Sequence, residues 1–182
     1  GSGGKVVIPA ELDGFTVTAI NGGVFSKSLS ITGVVIPGSV TSVADSAFYQ
    51  CANLASVTFG NGVTHIGNSA FCFCQSLTAV HLPDSVTSVE DSAFYQCTNL
   101  ASVTFGNAVT HIGDSAFSFC QSLTAVHLPD SVTHIGDYAF RECGRLADLT
   151  LGTNLLSIGD FAFTWCVALK AVAVPDSVTS LG

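Results

Sequence analysis

Apolar positions in this chain fall into short alternating stretches that recur in blocks. Leu54, Val57 and Phe59 mark a short strand with one face inward, and Leu77, Val80 and Leu82 repeat it one block later. Gly60-Asn61 or Pro83-Asp84 follows, a turn by its residue types. Val63-Thr64-His65-Ile66 alternates again as a second short strand, and Gly67 breaks it. Asp91-Ser92 and Asp114-Ser115 then read as N-caps of a single helical turn carrying Ala-Phe and Cys. The predicted block is strand, turn, short strand and helical turn, with a corner between parts.

The block returns every 23 residues. Its clearest phrase, Ala-Phe-x-x-Cys-x-x-Leu, occurs six times, from Ala47-Phe48…Cys51…Leu54 to Ala162-Phe163…Cys166…Leu169. A weaker copy, Val24-Phe25…Ser28…Ile31, stands one period upstream. A fixed period of this size predicts a stack of like units, in which one rung cannot bury its apolar face alone and stacking supplies the core. The inward columns then run from Val34 to Val172 and from Ile36 to Val174, with a phenylalanine ladder from Phe25 to Phe163 fully inside. Residues 46–91 and 92–137 match at all but seven positions, so two alternating unit types were copied as a pair. Residues 1–4 read as a scar of cloning, 5–31 as an irregular first rung and 32–182 as regular rungs of one domain, the last of them cut short. Such an open last rung leads us to expect further rungs in a parent protein or end-to-end self-association.

Composition narrows the function classes. Charged residues are only 10% of the 182, and the net charge is −8. Nucleic acid and anionic membrane surfaces are therefore poor partners, and no apolar run has the length of a membrane span. Neither a signal peptide nor an anchor is visible, and the lack of Met suggests an excised piece. Like stacks on like in such an array, so Ser, His and Asp form ladders instead of converging as catalysis requires. No catalytic residue, metal site or cofactor is assigned, and a hydrolase remains a remote alternative.

Six of the seven cysteines share one column beside the phenylalanines, about 5 Å apart along the stack, and are read as buried reduced thiols. Cys72 shares a column with Tyr49, Tyr95, Ser118, Arg141 and Thr164, which reads as solvent-facing and makes Cys72 the thiol most open to oxidation. His111 and His134 fall in adjacent rungs but lack the further nitrogen or sulfur ligands of a structural zinc site. The Asp45, Asn68, Asp91, Asp114, Asp137, Asp160 column is read as caps of the helical turns, not as a calcium site. The threonine column from Thr41 to Thr179, broken at Leu156, is read as a feature of the repeat and not as an ice-binding surface.

The string Leu-Thr-Ala-Val-His-Leu-Pro-Asp-Ser-Val-Thr-His-Ile-Gly-Asp-Tyr-Ala-Phe-Arg-Glu-Cys (123–143) resembles the leucine-rich repeat of the BspA-like type, also 23 residues long. The opening residues 6–20 are similar to the way such arrays begin. In alternate rungs Gly60, Gly106 and Gly152 stand where the repeat usually has Pro. The resemblance implies a leucine-rich-repeat solenoid, a right-handed curved stack of short parallel strands and short helical turns with about seven to eight rungs. It also implies a secreted or cell-surface, adhesin-like protein whose repeat domain is a non-enzymatic scaffold for a protein or glycan, host matrix protein included. A structural spacer and an engineered consensus scaffold are the alternatives.

Two surfaces are candidates for that partner. The first is the outward side of the first strand, on the concave sheet face: Thr58, His81, Thr104, His127 and Thr150, with Asp148 beside them. Small flanking side chains make it flat, and the stacked backbone makes it rigid. The second is the aromatic set Tyr49, Phe73, Tyr95, Phe119 and Trp165 near the helical turns, residue types favoured at interfaces.

Overall fold

The computed structural model describes residues 4–182, so most of the expected scar lies outside the described residues. The chain winds as a solenoid whose rungs pair in register one period apart. Two-residue strands, Ala19–Ile20, Ser42–Val43, His65–Ile66, Ser88–Val89, His111–Ile112, His134–Ile135, Ser157–Ile158 and Ser180–Leu181, form one unbroken parallel sheet of eight. The three-residue strands form a second layer in two pieces. Lys5–Val7, Gly33–Val35 and Ser56–Thr58 make a three-stranded sheet, while Ala79–His81, Ser102–Thr104, Ala125–His127 and Asp148–Thr150 make a four-stranded one. An antiparallel hairpin, Glu11–Leu12 with Phe15–Thr16, fills the insertion in the first rung.

Alternation of the two unit types is what divides the second layer. Ile36, Leu82 and Leu128, just before the prolines, donate their N–H groups to Thr58, Thr104 and Thr150 of the next rung at 2.9 Å. The glycine rung lies close on the proline rung before it. A Cβ on Gly60 would stand 2.4 Å from the carbonyl carbon of Pro37, and one on Gly106 or Gly152 would stand 2.3 Å from the carbonyl oxygen of Pro83 or Pro129. Asp84 and Asp130 lock the same junction, accepting the N–H of Asn107 and of Thr153 at 2.8 and 2.7 Å. The opposite junction is looser: Ser56–Thr58 and Ala79–His81 do not pair, and Ser102–Thr104 meets Ala125–His127 only at Ser102 and Ala125.

Phenylalanine rings run through the core as one column. Phe48, Phe71, Phe94, Phe117 and Phe140 are fully buried, with neighbouring centroids 5.1 to 5.3 Å apart and planes within 8° of parallel. The backbone keeps step with the rings, since the N–H groups of Phe48, Phe71, Phe94 and Phe117 each donate to the alanine carbonyl of the next rung at 2.8 Å. The column is not fully inside at its ends, because Phe25 and Phe163 are only partly buried with rungs missing on one side. The outermost rung also departs from expectation. Residues 171–174 form no strand, and Val174 is exposed.

The expected helical turn is absent. Each Ala-Phe segment is a chain of tight turns with two residues in the left-handed region, such as Ser46 and Gln50 at φ 57° and 55°. N–H groups of Ala47, Tyr49 and Cys51 close four-residue turns onto Ala44, Ser46 and Phe48, and those of Ser46, Phe48 and Gln50 reach Asn68, Ala70 and Cys72 in the next rung. Alternate donors thus leave the segment, and no α-helical ladder can form. The aspartate column accordingly caps across rungs and not within one. Asp91 accepts the N–H of Asp114, and Asp114 that of Asp137, both at 2.8 Å.

Candidate functional site

Side chains that were ambiguous in the sequence prove to be inter-rung donors. Thr64, Thr87, Thr110 and Thr133 each donate their hydroxyl to the threonine carbonyl one rung back at 3.1 Å. Cys74, Cys97, Cys120 and Cys143 donate their thiols to the carbonyls of Phe48, Phe71, Phe94 and Phe117 at 3.2 to 3.4 Å. All seven cysteines are free and buried. Burial raises the thiol pKa values along the whole column, that of Cys166 to about 11 and those of its inner members further.

Cys72 corrects the sequence reading. It is only 4% exposed, and Ser118 in the same column is 1% exposed. Tyr49, Phe73, Tyr95 and Phe119 zigzag between two neighbouring columns and meet edge to face at 5.5 to 5.8 Å. The small Cys72 and Ser118 sit where the tyrosine leaves off, and burial lifts the Cys72 thiol to about 11. The zigzag ends on Arg141, whose guanidinium lies 5.6 Å from the Phe119 centroid and 5.7 Å from that of Tyr138. These four aromatics are half-buried, whereas Trp165 is 65% exposed.

Thr58, His81, Thr104, His127, Thr150 and Asp148 are all exposed on the three-residue strand layer. The structure gathers them as pairs and not as one even row. His81 is in register with Thr104, and His127 with Thr150 at 3.2 Å between Nδ1 and Oγ1. Nε2 of His127 lies 3.8 Å from Asp148. Thr58 belongs to the other piece of the layer, across the unpaired junction. His81 and Thr104 also edge a cavity of about 460 Å³ with Asn61, Asp84 and Asn107. Asn61 and Asp84 read from the sequence only as turn residues, and Asn107 holds the same place in its own rung. Their signal was the alternation of Pro-Asp with Gly-Asn, which places them on one rim.

His111 and His134 stand side by side with ring centroids 6.3 Å apart. Among the described residues no three of His, Cys, Asp and Glu come together around a point where a metal would sit. His65 turns to Ser88 and Glu90 at 3.2 and 3.5 Å. The carboxyl of Asp130 is held below its usual range by the Thr153 backbone N–H and hydroxyl, a turn contact and not a reactive arrangement.

Similarity to other proteins agrees with this architecture. The structure aligns with the T. pallidum leucine rich repeat protein TpLRR at a TM-score of 0.88 and 32% identity, covering 93% of this chain and 79% of that one. It aligns with a leucine rich cell surface protein of Faecalibacterium prausnitzii at 0.80 and 34%, covering 99% of this chain and 48% of the other. The pneumococcal vaccine antigen PcpA shares the fold at 0.69 and 20%, over 97% of this chain and 62% of its own. The chain thus spans about half to two thirds of the latter two. No curated protein matches the chain. The model of the BspA type leucine rich repeat region, in six copies, matches residues 18–146 and 110–182, and the chain belongs to that family.

Proposed function

We propose that this domain is a non-enzymatic binding scaffold displayed outside the cell, and that its three-residue strand layer takes a protein or glycan partner. The observation that carries the reading is the exposed set His81, Thr104, His127 and Thr150 on strands paired in register. A backbone fixed before binding loses little ordering entropy, so small side chains suffice for a useful surface. The cavity beside His81 adds amide and carboxylate groups at the rim of that surface. In this reading the imidazole, hydroxyl and carboxylate groups of His127, Thr150 and Asp148 serve recognition, lying open to solvent on the strand layer. The extracellular placement draws support from the relative described as a cell surface protein.

The test is an immobilised panel of host matrix proteins and glycans, probed with the parent and with His81→Glu/His127→Glu. The parent is expected to bind at least one member, and the double variant to bind it at least about tenfold more weakly at an unchanged melting temperature. Equal binding by the variant would remove the strand layer from the reading. A panel without any binder would favour a spacer that holds other domains away from a surface.

A further inference from the structure

The turn side of the solenoid carries a notch that recurs. Gln121, Glu142, Gly144, Arg145, Trp165 and Val167 line an opening of about 480 Å³. Four rungs earlier, Leu29, Gln50, Ala52, Phe73 and Gln75 line one of about 250 Å³. Members of the second set stand 92 residues upstream of Gln121, Glu142, Gly144, Trp165 and Val167 in that order, so the two openings occupy the same place on the rung. Each is lined by a small residue, Gly144 or Ala52, and by an aromatic ring, Trp165 or Phe73. In the rung midway between them the position of the small residue is taken by Thr98.

We infer that the Trp165 notch is a binding site for a neutral saccharide, with the Phe73 notch as a weaker second copy. An aromatic face packs against the apolar face of a pyranose ring, while hydroxyls at the ring edge need donors and acceptors together. Trp165, 65% exposed, supplies the face. Glu142 supplies an acceptor, Arg145 supplies donors, and the amide of Gln121 supplies both. An anionic ligand would meet Glu142 and a molecule of net charge −8. The site does not depend on the strand-layer reading.

Trp165 is the only tryptophan, and it lines both this notch and an adjoining opening with Tyr138, Arg141, Phe161 and Thr164, so its fluorescence reports binding at either and a variant at Gly144 separates the two. Acrylamide quenching is measured with maltohexaose, laminarihexaose and N-acetylchitohexaose as probes. At least one is expected to protect Trp165 saturably at millimolar concentration. Gly144→Thr, which gives this lining position the residue of the Thr98 rung, is expected to abolish protection while the melting temperature holds. A Cβ at Gly144 meets only Val167, at 3.9 Å, so the fold accommodates it. His81→Glu/His127→Glu is expected to keep full protection. Failure of all three probes, undiminished protection in Gly144→Thr, or loss of protection in the histidine variant would each overturn the inference.

Discussion

Phe94, at the middle of the ring column, has a stacked ring above and below and no solvent contact. Phe94→Ala is expected to cost about 3–5 kcal/mol in urea unfolding. Phe163→Ala, at a partly buried end, is expected to cost clearly less. Equal losses would contradict the column. Ser92 sits at φ 56° with no hydrogen bond from its hydroxyl to hold it there. A left-handed residue other than Gly costs about 1–2 kcal/mol, and Gly gives back about 0.5–1 kcal/mol in chain entropy. Ser92→Gly is therefore expected to stabilise the fold by about 0.5–1 kcal/mol, read as a rise in the denaturation midpoint. With its pKa near 11, the Cys72 thiol is only about one part in a thousand thiolate at pH 8, and the residue is buried. Native protein is expected to leave Cys72 unlabelled by a maleimide under conditions that label it fully in urea. Rapid native labelling would restore the solvent-facing reading.

At the scale of the element, the unit is a pair of rungs. The proline rung supplies Asp84 or Asp130 as an acceptor, and the following glycine rung supplies a backbone that can approach because it has no Cβ. Gly106→Ala is expected to destabilise by about 1–3 kcal/mol through overpacking on Pro83, whereas Gly144→Ala is expected to be close to neutral. Thermal melts of the two variants check the contrast. The 46-residue copy was plain in the sequence, but its cause was not, because the contact joins residues of different rungs and no local propensity records it. The same reason explains the aspartate column. Asp next to Ser before an apolar pair has the composition of an N-cap, yet its acceptor serves a residue 23 positions on. Strand positions and inward columns were legible because side-chain alternation and a fixed period encode them directly. Cys72 was misplaced because Tyr49, Tyr95 and Arg141 in its column read as solvent-facing, whereas those residues are half-buried and Cys72 and Ser118 are buried.

The molecule as a whole is a rigid stack with two distinct long faces. One face carries His81, Thr104, His127 and Thr150 on paired strands, and the other carries the aromatic zigzag that ends near Trp165. Both candidate surfaces were visible in the sequence as columns. Their difference was not, since it lies in exposure: the strand-side residues are exposed, while Tyr95 and Phe119 are half-buried by packing on each other. That difference is the basis for assigning the partner to the strand layer. Hydroxyl-radical footprinting tests it most directly, because His, Tyr, Phe and Trp side chains are all labelled in proportion to their exposure. Bound to the protein or glycan recovered from the panel, the domain is expected to show protection of His81 and His127 with Tyr95 and Phe119 unchanged. Protection of Tyr95 and Phe119 with His81 and His127 unchanged would contradict the assignment and move the interface to the turn side.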